Sequence, residues 1–257
     1  LNLNLKGKRV FVSGGTRGIG LAIVKGFLSE GAHVAFSSRN EESIKQITKD
    51  LKKEFSDSVL LYFVSDATDP EKTKDVFESI ISEWNGLDIV VSNVGDGRST
   101  QEPLQSSEQF ESTMRTNLKS AEIIAREFLN GNKTGKGSLL FISSITGLEA
   151  FGAPTDYSVA KAAIIALSKN LARKLAPDIR VNCISPGNVY SPGGSWDEKI
   201  QKDPERIKKI IDSTVPMKRF GTPEEIADLV LFLSSERASF ITGSCVVIDG
   251  GQTVGFH

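Results

Sequence analysis

Short apolar runs that end in glycine or small polar residues alternate along this chain with longer stretches whose apolar positions recur every three to four residues. The first run is Arg9-Val10-Phe11-Val12, and Leu21, Ile23, Val24, Phe27 and Leu28 follow it at helical spacing. Gly31 supplies a helix stop, and His33-Val34-Ala35-Phe36-Ser37 reads as a second strand. An amphipathic helix over 42–55 leads to a buried strand over 59–64, then Asp69-Pro70 opens a helix with a cap and a proline at its first position. Residues 87–91 give a fourth strand. Phe110, Met114, Leu118, Ile123, Ile124 and Phe128 predict one long helix from Ser107 to about Asn130, on which periodicity alone leaves Asn117 exposed. A fifth apolar run, 139–142, precedes a helix that starts at Thr155, carries Ile164, Leu167, Leu171 and Leu175, and stops before Pro177. Strands over 179–184 and 245–248 flank a helix over 224–234, and the segment 192–216, opened by Pro192-Gly193-Gly194, reads as a mobile substrate lid. Strand and helix in alternation, without a repeat or a linker, predict an α/β doubly wound parallel sheet of about seven strands with helices on both faces.

Composition narrows the function without changing that picture. At 257 residues and 39% hydrophobic content, residues 1–257 are expected to form a single domain around a large core. A net charge of -1 with scattered lysines and arginines lacks the basic stripe of a nucleic-acid binder. No apolar stretch approaches the ~18 residues of a membrane span, and no signal peptide is evident, so a cytoplasmic protein is expected. Cys183 and Cys245 sit in apolar strand-like runs as small hydrophobes, and with two histidines they form no metal-ligand cluster.

Two stretches carry candidate chemistry. Ser13-Gly14-Gly15-Thr16-Arg17-Gly18-Ile19-Gly20 joins the first strand to the first helix, where glycines let a pyrophosphate approach the free N–H groups and positive dipole end of the helix. Strand, glycine turn, helix and second strand are the context that such a fingerprint needs. Further on, Tyr157 and Lys161 stand at i and i+4, one turn apart on one helix face, and Ser144 lies thirteen residues before the tyrosine. A neighbouring ammonium is expected to lower a phenol's pKa from about 10, and a serine hydroxyl can hold a substrate oxygen against the phenol. Tyr-x-x-x-Lys by itself arises often by chance; its position downstream of the glycine turn gives it weight.

Gly14-x-x-x-Gly18-x-Gly20 together with Tyr157-x-x-x-Lys161 resembles the short-chain dehydrogenase/reductase family, over nearly the whole chain and closest in length to its 3-oxoacyl carrier-protein reductase branch. The resemblance implies a Rossmann-type fold, a catalytic set of Asn117, Ser144, Tyr157 and Lys161, and a water held by Asn117 that links Lys161 to solvent. It also implies cofactor contacts from Ser13, Gly14, Thr16, Arg17, Gly18, Ile19 and Gly20, from Asp66 and Ala67, and from Asn93 and Gly95. Tyr157, Lys161, Pro186, Gly187, Val189 and Ser191 complete that set. Ser92-Asn93-Val94-Gly95 departs from the family's usual Asn-Asn-Ala-Gly, which puts the cofactor wall at Val94 in question. The second strand ends in Ser37-Ser38-Arg39-Asn40 with no carboxylate for the ribose hydroxyls; Arg39 and Arg17 offer guanidinium forks for a 2′-phosphate, and Ser38 lies beside them. NADP(H) is therefore favoured over NAD(H), the alternative being that both arginines are merely solvated.

The implied reaction interconverts a ketone and a secondary alcohol by hydride transfer, with Tyr157 as general acid and base. Asp96-Gly97-Arg98 after Gly95 suggests a polar rim, and so a sugar or sugar-acid derivative, anionic groups being met by Arg98 or a lysine of the lid. The alternative substrate is a 3-oxoacyl thioester on an acidic carrier protein, for which Lys133, Gly135, Lys136 and Asp178 match the family's docking turns only by half. A non-catalytic dinucleotide sensor is the remaining class, set against an intact catalytic set. By resemblance the chain is expected to form a homotetramer through the 107–130 helix and the C-terminal strand.

Overall fold

The structure is a computed structural model that describes residues 2–132 and 135–256. Among these residues seven parallel strands form one sheet in the order β3-β2-β1-β4-β5-β6-β7. They are β1 (Arg9–Ser13), β2 (His33–Ser38), β3 (Leu60–Val64), β4 (Ile89–Ser92), β5 (Gly137–Ile142), β6 (Ile179–Pro186) and β7 (Cys245–Ile248). The order reverses between β1 and β4, the switch point where two consecutive crossovers leave in opposite directions and open a crevice at the strands' carboxyl ends. Register is in step across the switch, Val10 opposing Ile89 on one side and Val34 on the other.

Alternation along each strand builds two cores. Val10 and Val12 of β1 and Val34 and Phe36 of β2 point to one face, where α1 (Gly18–Ser29) and α9 (Pro223–Ser234) bury Ile23, Phe27, Val230 and Leu231. Phe11 and Ala35 point to the other, against Phe77 of α3 (Pro70–Trp84), Phe128 of α5 (Ser120–Gly131) and Ile164 of α6 (Thr155–Leu175). The Phe11 and Phe77 rings meet edge to face at 5.0 Å between centroids. Both faces of a parallel sheet are thus covered, as its continuous apolar strands require.

The helix ends follow local chemistry. Asn40 Oδ1 accepts from the Ser43 N–H to cap α2 (Glu41–Glu54), and Asp69 caps α3 ahead of Pro70. Thr222 and Glu225 form a reciprocal capping box on α9; the bidentate Arg219 pair and the Thr222 N–H hold the Glu225 carboxyl down at about 2. The long helix expected over 107–130 is α4 (Ser107–Met114) and α5 joined by a π-helical turn, Arg115–Lys119. The extra residue in that turn changes the face presented at Asn117, which is fully buried rather than exposed. The segment expected as a lid contains α7 (Ser195–Lys202) and α8 (Pro204–Thr214), the latter packed on its own small core of Ile207, Ile211 and Val215. No helix among the described residues is long and apolar enough to cross a membrane.

Candidate active site

A cleft of about 580 Å³ runs across the carboxyl ends of the strands at the switch point. Its floor is the turn from β1 into α1. Gly14 and Gly18 have φ of +71° and +51°, in the left-handed region, and a Cβ on Gly20 would lie 2.1 Å from the Gly14 carbonyl oxygen. Asn93 Nδ2 donates to the Ser13 and Gly14 carbonyls at 3.1 and 3.2 Å, tying this turn to the end of β4. The first turn of α1 has no side-chain cap, so its N–H groups remain available to an anion in the cleft. Val94 is accommodated because its Cγ2 occupies the space beside Gly14 that a side chain there would need.

Thr16, Arg17, Gly18, Ile19, Ser38 and Arg39 line one end of the cleft, together with Asp66 and Ala67. Both arginines are exposed; the Arg39 guanidinium has no hydrogen bond or ion pair among the described residues. Asp66 Oδ1 accepts from the backbone N–H and the hydroxyl of Thr68, which sets the carboxylate's orientation. Ser13 lies behind the wall rather than on it: it is fully buried, and its hydroxyl accepts from the Asn93 and Val94 N–H groups. Pro186, Gly187, Val189 and Ser191 line the opposite side. Thr68, Ser43 and Trp196 also line the cleft, and nothing in their local sequence pattern distinguishes them from solvated loop and helix positions.

At the other end Ser144, Tyr157 and Lys161 converge. Ser144 ends the stretch after β5, and Tyr157 and Lys161 rise from the first two turns of α6. The Ser144 hydroxyl lies beside the Tyr157 phenol and accepts from the Thr146 N–H and hydroxyl. Lys161 Nζ lies 5.6 Å from the Tyr157 ring centroid and donates to the Ile142 carbonyl at 3.0 Å. A Cβ on Gly95 would come within 2.9 Å of Lys161 Nζ and 2.8 Å of Asn117 Oδ1, so the two side chains flank that glycine. Asn117 itself does not line the cleft; its amide clamps the backbone of Asp96, accepting from its N–H and donating to its carbonyl, and donates to the Thr113 carbonyl.

The electrostatics depart from the expectation for the phenol. Tyr157 is half-buried as a residue, but the protein packed around its hydroxyl pushes the phenol up to about 12; the neighbouring Ser144 hydroxyl opposes this and the Asp96 carboxylate adds to it. Burial also pulls the Lys161 amine down to about 8, against an upward pull from Cys183. Desolvation is the largest cause for both groups, and the lysine is not among the groups that move the tyrosine, so the expected lowering is not found here.

The rim is charged but internally neutralised. Arg98 pairs with Glu198 of α7 at 2.7 Å and with Asp96 at 3.4 Å, and both Arg98 and Arg17 donate to the Gly193 carbonyl. Asp197 accepts from the Gly193 N–H and the Tyr190 hydroxyl, and Trp196 packs edge-on against Phe220. Arg98 is therefore occupied by two carboxylates, contrary to its expected readiness for an anionic substrate. Of the carrier-docking turns, Lys133 lies outside the described residues.

A glycine-lined crevice at the switch point of a parallel sheet, with a serine, a tyrosine and a lysine at one end, defines a dinucleotide-dependent oxidoreductase. The family model described as enoyl-(acyl carrier protein) reductase matches residues 14–253. The chain belongs to the short-chain dehydrogenase/reductase family of oxidoreductases. It is 36% identical over 257 residues to a tropinone reductase homolog of Arabidopsis thaliana, spanning 98% of this chain and 93% of the relative. A 3-oxoacyl-(acyl-carrier-protein) reductase of Chlamydia muridarum is 35% identical over 255 residues, with 98% and 100% covered. Among solved structures, the L-sorbose reductase of Gluconobacter frateurii complexed with NADPH and L-sorbose superposes with a TM-score of 0.93 at 32% identity, covering both chains completely.

Proposed function

We propose that the protein is an NADP(H)-dependent ketoreductase of small polar, uncharged polyhydroxy ketones, acting also as the reverse alcohol dehydrogenase. The observation that carries this reading is the meeting of Ser144, Tyr157 and Lys161 at one end of a cleft whose other end holds an uncommitted Arg39, with no carboxylate at positions 37–40. The glycine turn and open N-terminus of α1 would hold the pyrophosphate, Arg17, Ser38 and Arg39 the 2′-phosphate, Asp66 and Ala67 the adenine side, and Pro186 to Ser191 the nicotinamide side. NADP(H) supplies or accepts the hydride when bound. The residues then divide the remaining work. Ser144 orients the carbonyl oxygen, and Tyr157, protonated throughout the neutral range because burial holds its phenol near 12, donates the proton to that oxygen. Lys161 sits beneath the ring and, with Asn117, connects it to proton supply.

A neutral substrate is favoured over the sugar acid because Asp96 and Glu198 consume the charge of Arg98, leaving the rim without a free cation among those residues. The L-sorbose bound by the structural relative is a ketone of this class. The similarity to carrier-protein reductases supports the thioester as a second reading. NADPH consumption measured against a panel of ketoses and against acetoacetyl thioesters decides between them; fast thioester reduction with no response to any ketose would reject the preference. We further propose a cytoplasmic homotetramer, for which the position of β7 at the sheet edge gives support; a monomer by light scattering at micromolar concentration would contradict it.

A further inference from the structure

The buried carboxylate immediately before the tyrosine takes no part in the chemistry above, yet three elements meet on it. Asp156 is completely buried at the second position of α6, and no ion pair reaches it among the described residues. Its Oδ2 accepts from the Ser99 hydroxyl and from the Thr113 hydroxyl, each at 2.7 Å, and its Oδ1 accepts from the Tyr157 N–H at 2.8 Å. Its own N–H donates to Gln105 Oε1. Such a group, without an ion pair, is held in the interior by these hydrogen bonds and the positive end of the helix, which makes the arrangement costly to keep for packing alone.

What the carboxylate gathers is functional. Residues 96–105 contain no helix or strand; their path is set by Ser99 on Asp156, by Gln105 Nε2 on the Thr100 and Glu102 carbonyls, and by the Thr155 hydroxyl on the Pro103 carbonyl. This segment carries the rim residues Asp96 and Arg98, and Gly97 lies so close to Tyr157 that a Cβ there would be 3.4 Å from its Cζ. Thr113 belongs to α4, whose next turn carries Asn117.

We propose that Asp156 is a positioning residue that fixes the substrate-side wall, residues 96–105, at a set distance from the Tyr157 hydroxyl, so that the ketone is held in reach of its proton donor. This rests on the reading of Tyr157 as that donor. Asparagine at 156 keeps the acceptor for the Tyr157 N–H and exchanges two charge-assisted bonds for neutral ones, whereas alanine removes all three; Ser99→Ala cuts only the wall's tie. Loosening the wall weakens its hold on the ketone, whereas a misplacement of about 1 Å can cost ~100-fold in rate, the upper bound for Asp156→Ala.

The test uses the full chain. Asp156→Asn and Ser99→Ala are expected to raise KM for the ketone at least threefold with kcat within twofold of wild type, and to leave the NADPH dissociation constant within twofold. Asp156→Ala is expected to lose tenfold or more in kcat as well, a loss that the asparagine variant restores. Amide hydrogen exchange of 96–105 should speed up in both Asp156→Asn and Ser99→Ala. Unchanged KM and unchanged exchange in those two variants would overturn the proposal, even if Asp156→Ala does not fold. A lowered melting temperature with KM, kcat and exchange unmoved would do the same, since that is the signature of packing alone. A wild type that turns over no ketone would instead sink the functional reading, while the exchange result still decides whether Asp156 holds the wall.

Discussion

Replacing Lys161 by methionine should make the cofactor-free protein more stable while removing its activity. The amine is 3% exposed and burial pulls its pKa from 10.5 to about 8, so at ~1.36 kcal/mol per unit its charged form costs the fold about 3 kcal/mol. The cost is fully present below pH 8, where folded and unfolded chains both carry the proton. It is relieved between pH 8 and 10.5, where only the unfolded chain still binds it, so this group makes stability rise with pH through that window. Methionine fills similar space without the charge, but leaves the Ile142 carbonyl without its donor, a loss of roughly 1–3 kcal/mol. The two effects nearly offset one another, so the net change at pH 7 should be a gain of between about 0 and 2 kcal/mol. Their difference in pH dependence separates them. Urea unfolding of wild type and variant at matched concentration should show the variant's advantage shrinking by about 2–3 kcal/mol between pH 7 and pH 10, because the carbonyl's loss does not titrate. An advantage that is the same at both pH values, or a variant less stable than wild type at pH 7, would refute the claim that burial of the charge dominates at this site. Retained ketone reduction would count equally against its assigned role.

Three further outcomes are expected. Tyr157→Phe should bind NADPH within a fewfold of wild type yet lose about 100-fold or more in kcat, the scale of a general acid; near-normal turnover would remove the phenol from the mechanism. Arg39→Asp should reverse the order of NADPH and NADH dissociation constants by repelling the 2′-phosphate and accepting ribose hydroxyls, and a wild type that binds NADH at least as well as NADPH would show that Arg17 and Arg39 are only solvated. Gly20→Ala places a Cβ 2.1 Å from a backbone oxygen that no side-chain rotation can move, so a loss of about 1–3 kcal/mol in stability and weaker cofactor binding should both appear; thermal melts with and without NADPH measure them together.

The strands, the parallel sheet that their alternation with helices implies, and the first turn of the cleft were legible because each rests on local pattern: an apolar run, a glycine turn, a capped helix. The start of α6 at Thr155 follows from the chain alone, and with it the stacking of Tyr157 over Lys161. Three features depend on distant groups and were not legible. Arg98 reads as a free cation until Glu198, a hundred residues on, is brought to it. The direction of the Tyr157 shift depends on how much protein surrounds the hydroxyl, which spacing to Lys161 does not report. Asp156 has no signal in periodicity, since its partners Ser99 and Thr113 come from a segment without regular structure and from another helix. The segment expected as a lid also contains two short helices that its opening Pro192-Gly193-Gly194 does not signal: Asp203 and Pro204 cap and start α8, and Trp196 finds Phe220.

The single π turn at Arg115–Lys119 amounts to a phase shift between two halves of one continuous rod. Each residue of an α-helix advances the side-chain direction by about 100°, so deleting any one of those five residues would turn α4 by that angle relative to α5. α5 would keep its seat against α3 through Ile124 and Phe128, while Thr113 would swing off Asp156 and Asn117 off the backbone of Asp96. One codon's worth of chain therefore separates a helix that only supports the sheet from a helix that also sets the walls of the cleft. Shortening the turn is a larger change to this protein than most substitutions within it.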